Sequence, residues 1–135
     1  MLEIDRGKIK ELAEKYSLEL VVLFGSQATS QTHAKSDIDV AVLGGESNSL
    51  AGLLKLMSDF YKFFKREDVE VVDLSSAAPT LWQAVVRDGE LLYEKTPGYF
   101  GRWKIYAWKI WLETAWLRKI RDQRLLNWAQ QHTLV

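Results

Sequence analysis

Apolar residues at 9, 12, 13 and 16 recur with the spacing of one helical face. Asp5 stands where a cap would accept the first free amides, so the chain opens with a helix whose stripe covers something flat. Residues 18–24, LELVVLF, form a short run rich in branched side chains and end at Gly25. Apolarity that is continuous from Leu20 to Phe24 fits a strand buried on both faces, central in its sheet. Residues 26–36 are almost wholly small or polar, carry no helical period and predict a loop. In 37–43, DIDVAVL, alternation puts Ile38, Val40 and Val42 on one face and Asp37, Asp39 and Ala41 on the other, one face core and the other acidic.

Residues 44–49, GGESNS, are a turn cluster with capping side chains. Leu50, Leu53, Leu54, Met57, Phe60, Tyr61 and Phe64 then follow helical spacing. VEVVDL at 69–74 is a third strand. It is reached through that helix, so strands two and three form a crossover unit and run parallel, while strands one and two run antiparallel. Pro79 opens a helix through Arg87, Asp88-Gly89 closes it, and ELLYE at 90–94 makes a short edge strand. The fold class is α+β: a mixed β-sheet of about four strands flanked by helices. Pro97-Gly98 divides the body, 1–98, from a helical extension, 99–135.

That extension holds five of the six tryptophans, at 103, 108, 111, 116 and 128. Eleven of the fifteen residues from 103 to 117 are apolar or aromatic, so a helix there has no clean polar face and is expected to be covered on two sides, by the body and by a protein partner or another copy. Lys104, Lys109 and Glu113 interrupt the run well short of the roughly 18 residues of a membrane span. The 135 residues carry 18 cations and 18 anions, without the uniform basic excess of a protein that wraps duplex nucleic acid, so direct nucleic-acid binding is not expected. Yet 102–124 has seven cations against Glu113 and Asp122, leaving 11 cations against 16 anions elsewhere: an acidic body and a basic tail. With no cysteine, and an opening that reads as a charged helix rather than a signal peptide, the expected compartment is reducing cytoplasm.

The chemistry gathers where the first strand ends. Alternation places the carboxylates of Asp37 and Asp39 on one face, with α-carbons about 6.6 Å apart at roughly 3.3 Å per residue. Two anions so close oppose each other's ionisation, a repulsion that a shared divalent cation compensates, and hard oxygen ligands select magnesium or manganese. Gly25 permits close backbone approach, and the Ser26 hydroxyl and nearby amides suit phosphate oxygens, which implies phosphoryl or nucleotidyl transfer. A third carboxylate would complete a two-metal arrangement. Glu70 and Asp73 lie on opposite faces of the third strand, and valines on both faces leave periodicity unable to choose. Position favours Glu70, because Asp73 is near the exit and can turn the chain into Ser75-Ser76.

Gly25-Ser26, the ten-residue spacer and SDIDVAV at 36–42 resemble the signature of the DNA polymerase β-type nucleotidyltransferases, in their minimal MNT-type branch. VEVVDL, the helix from Pro79 and RDGELLYE extend the resemblance over about residues 5 to 95. It implies a nucleotidyltransferase fold using Mg²⁺ and ATP: Gly25 and Ser26 hold the triphosphate, Asp37 and Asp39 bind metal, and Glu70 takes a third position that is usually Asp. Ala28-Thr29-Ser30 stands where Ala-Arg-Gly is frequent. MNT-type proteins accompany HEPN-domain toxins, so the resemblance further implies an antitoxin that moves AMP onto a tyrosine of its HEPN partner. The other readings are an antitoxin acting by contact alone and a transferase for a small molecule. His33, Lys35 and His132 read as ordinary polar positions, and the cations at 118, 119, 121 and 124 as a solvated or partner-facing surface.

Overall fold

The unbroken apolar run folds as strand β1 (Leu20–Phe24), every residue of it buried. Around it the computed structural model describes residues 4–25 and 37–132. β2 (Ile38–Leu43) lies antiparallel on one side of β1 and β4 (Glu90–Glu94) antiparallel on the other, while β3 (Val69–Asp73) pairs parallel with β2. The order is therefore β3-β2-β1-β4. The central first strand, the edge strand and both pairing directions are as the sequence predicts. The predicted loop 26–36, with Ser26, His33 and Lys35, lies outside the described residues.

Helices α1 (Arg6–Lys15) and α2 (Leu50–Phe64) cover one face of the sheet. Asp5 caps α1, accepting from the amides of Gly7 and Lys8, and Ile9 and Ala13 pack with Ile38, Val40, Val42, Leu56 and Phe60. The apolar stripe of α2 differs from the expected one. Leu56 and Phe60 are wholly buried, whereas Leu50 and Leu54 are 73% and 55% exposed. Leu53, Met57, Tyr61 and Phe64 pack against the core as expected but stay partly buried, because contact is centred farther round the helix, on the line Gly52, Leu56, Phe60. Gly52 sets that line: a Cβ there would lie 2.0 Å from the Glu46 carbonyl oxygen, in the short 3₁₀ turn Gly45–Asn48.

Helices α3 (Pro79–Asp88) and α4 (Tyr99–Glu113) cover the other face, joining Val85, Phe100, Trp103 and Ala107 to Leu20, Val22, Phe24, Ala41 and Leu74. The second face of β2 is thus acidic only at its start, because from Ala41 onward it is core as well. The extension is two helices, α4 and α5 (Ala115–Gln131), broken at Thr114. α4 is anchored by Glu94, whose carboxylate accepts from the amides of Gly98 and Phe100, and by the Tyr99 hydroxyl, which donates to Glu19. Those amide bonds hold the Glu94 carboxyl below its ordinary pKa. Burial, then the bond to Glu19, pushes the Tyr99 phenol up to about 12. Only one side of α4 is covered: Ile105, Tyr106, Trp108 and Leu112 face outward, and α5 buries no residue at all. Among the described residues, the two-sided cover expected over 103–117 is therefore not formed. Among the described residues no helix is long and apolar enough to cross a membrane.

Phe60→Ala should cost about 3–5 kcal/mol in urea unfolding, and Leu54→Ala less than about 0.5 kcal/mol. Equal losses would contradict the burial of Phe60 and the exposure of Leu54.

Candidate functional site

β1 delivers Gly25 to the same end of the sheet at which β2 begins. Phe24 pairs with Asp39 across the antiparallel ladder, and Gly25 follows with φ +77, so its backbone closes against the Asp39 side chain. A Cβ at Gly25 would stand 2.3 Å from Asp39 Oδ2. A residue with a side chain would meet both a left-handed backbone and the carboxylate it displaces. Glycine here is a requirement of the site as well as of the turn.

On the other side of β2, the parallel register sets Glu70 directly beside Asp39. Asp37 precedes the strand and is exposed, whereas Asp39 is half-buried. The Asp39 carboxyl is raised above its ordinary pKa, first by burial, then by the negative charges of Glu70 and Asp37, and by a side-chain hydrogen bond with Glu70. Burial and neighbouring like charge together penalise the ionised form of Asp39, a penalty that a bound cation would relieve.

The two candidates on β3 separate cleanly. Glu70 belongs to the face of Asp39, while Asp73 points the other way and is buried. Its Oδ1 accepts from the Ser75 amide at 3.0 Å and the Ser75 hydroxyl at 2.8 Å, so Asp73 turns the chain out of the sheet. One nearby group is absent from the sequence reading. Arg66, bonded through Nε to Asp68 Oδ1 at 2.7 Å, has its pKa raised first by that bond and also by the charges of Asp68 and Asp37. Its signal was a cation just before a parallel strand, which the crossover carries to the start of β2.

Among the described residues, no three acidic or imidazole groups form a ready-made metal cage. The donor set nevertheless fits Mg²⁺. That ion prefers carboxylate oxygen, keeps open positions, and is held by one or two carboxylates together with substrate phosphates rather than by an all-protein shell. The crowded acids around Asp39 supply the charge that such an ion neutralises.

A mixed four-stranded sheet whose glycine turn backs onto paired acids at the ends of neighbouring strands defines a nucleotidyltransferase fold. The sequence from residue 7 to 97 matches the family model described as polymerase beta, nucleotidyltransferase, and the chain belongs to that family. It is similar to the protein adenylyltransferase MntA of Aphanizomenon flos-aquae, with 29% identity over 120 residues that cover 82% of this chain and 77% of that one. The MntA of Shewanella oneidensis is 34% identical over 95 residues, 69% and 68% of the two chains. Among solved structures, a toxin–antitoxin complex with AMP-PNP aligns at TM-score 0.75 and 28% identity over 90% of this chain and 99% of that one. A chain from the complex of tri-AMPylated Shewanella oneidensis HEPN toxin with MNT antitoxin aligns at TM-score 0.67 and 27% identity, over 89% and 95%.

Asp39→Asn should raise the thermal midpoint of the metal-free protein at neutral pH. A carboxyl whose pKa is higher folded than unfolded opposes folding when ionised, so the wild type loses stability as pH rises from the unfolded value, about 3.9, through the raised one. The gap between variant and wild type should therefore open above that interval and close below it, as melting curves from pH 3 to 8 will test. Gly25→Ala should lower the midpoint, at a cost of about 1–3 kcal/mol, and an unchanged midpoint would contradict the close approach to Asp39.

Proposed function

We propose that this chain moves AMP from ATP to a hydroxyl, a tyrosine's, of a partner HEPN-domain toxin and so acts as its antitoxin. The observation that carries this is the placement of Asp39, with Gly25 behind it, Glu70 beside it and Asp37 near enough for its charge to act on it. The names of the relatives, an adenylyltransferase and antitoxin chains bound to AMP-PNP or to an AMPylated toxin, support the nucleotide and the acceptor.

Asp37, Asp39 and Glu70 are the residues that would hold Mg²⁺, one ion or two. When bound, the metal neutralises charge on the triphosphate and on the departing pyrophosphate. Gly25 and Ser26 receive the phosphates on backbone amides and a hydroxyl. The chain's own work is to hold the acceptor oxygen in line with the α-phosphorus while the bond to the β-phosphate oxygen breaks, and to take the acceptor's proton on the Glu70 carboxylate. Glu70 carries its carboxylate one methylene farther from the backbone than an Asp would, from the strand position beside Asp39. Residues 1–98 form the catalytic unit, and 99–135 an extension that meets the partner. We place the protein in the cytoplasm, where a cysteine-free chain loses nothing to a reducing environment.

Incubation with labelled ATP, Mg²⁺ and the purified toxin should transfer label to a toxin tyrosine. Asp39→Asn should lower the rate by about 100-fold or more. Label transfer that is unchanged in Asp39→Asn would end the catalytic assignment.

A further inference from the structure

α5 presents a surface that no other described residue buries. Leu117, Ile120, Leu125 and Trp128 form a shallow apolar depression with Arg121 and Arg124, all six on about half of the helix circumference at 100° per residue. Trp128 and Leu125 are 59% and 58% exposed. Trp128 is held in place by stacking on His132, with ring centroids 4.4 Å apart. Arg121 pairs only with its neighbour Asp122, and Arg124 has no partner among the described residues. The helix carries four cations, Arg118, Lys119, Arg121 and Arg124, against that one acid.

A helix of 17 residues with no buried side chain gains nothing from tertiary packing and is marginal in water by itself. Here it is fixed from one end. Arg118 lies 3.3 Å over the Trp111 ring and donates to the Trp111 carbonyl and to Thr114 Oγ1 at 2.7 and 2.8 Å, while Thr114 Oγ1 donates to the Ile110 carbonyl at 2.7 Å. The break at Thr114 is thereby tied across, and α5 extends from the anchored α4. The 90% of this chain that aligns with an antitoxin from a toxin complex cannot be filled by residues 1–98 alone and runs on into these helices.

We infer that this face of α5 is a docking helix for the toxin itself, seated in an apolar groove of that protein whose rim carries carboxylates. The inference rests on the reading given under Proposed function. Trp and Arg together are the residues that dominate binding energy at the centre of an interface, and an amphipathic helix in a groove is a recurrent way of presenting them. The net positive charge of α5 sets the sign of the rim. It also disfavours pairing of two α5 helices side by side, since that would bring cation against cation. No α5 side chain is buried against the body, so affinity for the partner and chemistry at Asp39 can be changed separately.

The test measures binding of the purified toxin by calorimetry in an Asp39→Asn background, where no transfer obscures the equilibrium. Leu117→Ala with Trp128→Ala should weaken binding by about 30-fold or more. Arg124→Glu should weaken it as well and flatten its salt dependence. Both variants should melt at the temperature of their parent, which separates lost docking from lost folding. Binding unaffected by either variant would overturn the inference. So would unaltered toxin binding accompanied by loss of self-association in sedimentation, which would assign the face to a second copy. If binding depends on α5 but the wild-type protein leaves the toxin unlabelled, the docking assignment stands and the proposed reaction fails.

Discussion

The Asp39 carboxylate is confined between Gly25 and Glu70, with the charge of Asp37 near enough to add to the crowding, and that confinement is what the end of the sheet is built around. Asp39 cannot relax away from Glu70, because both belong to a parallel ladder running from Ile38 beside Val69 to Val42 beside Asp73. Nor can it retreat toward β1, where Gly25 already lies against its oxygen. The raised pKa of Asp39 is the record of that confinement. A cation with phosphates would answer the repulsion between these acids, since the same oxygens that resist a second negative charge are ligands for a positive one.

The confinement is affordable because the sheet is covered twice. One face is sealed by α1 and α2, the other by α3 and α4, and β1 has no exposed residue. Each fully buried Leu, Val or Phe contributes about 1.5–3 kcal/mol relative to exposure, so the loss at one half-buried acid is small beside either cluster. The two-sided core also explains why the acids occupy the start of β2 and not its middle. From Ala41 onward the second face is taken by Val85, Phe100 and Trp103, and only the first residues of the strand remain available for charge.

Legibility in the sequence followed the strength of the physical constraint. β1 was readable because only a central strand tolerates LELVVLF, and the β2–β3 crossover because helix length and strand parity leave one arrangement. The place of Asp39 on the face of β2 opposite Ile38, Val40 and Val42 was readable from parity alone. Glu70 against Asp73 was not, since VEVVDL offers apolar residues to both faces, and the choice is made by register with Asp39 and by the serines that claim Asp73. The wrong members of the α2 stripe, Leu50 and Leu54, were admitted because helical spacing records which positions share a side but not where around the helix the sheet's contact is centred. The break at Thr114 left little trace: no proline or glycine marks it, and the device that ties it, Arg118 over Trp111, joins residues seven apart across two helices. Arg66 escaped because its nearness to Asp37 is a product of the crossover and not of any local motif.

The extension divides by the same physics. α4 is half core and half surface, fixed by Glu94 and Tyr99 at its start and by Phe100, Trp103 and Ala107 along its inner side. α5 has no inner side. A chain that needed only to close its own core would gain nothing by continuing, and a helix left to itself would spend much of its time unwound. Attached to an anchored helix through the Arg118 clamp, α5 begins with its first turn already ordered, so a partner that binds it has less conformational entropy to remove than it would on meeting a loose tail. The apolar and cationic side chains that look like a liability on an isolated molecule are then a surface prepared in advance, and the cost of holding it ready is borne by the packing of α4 on the sheet.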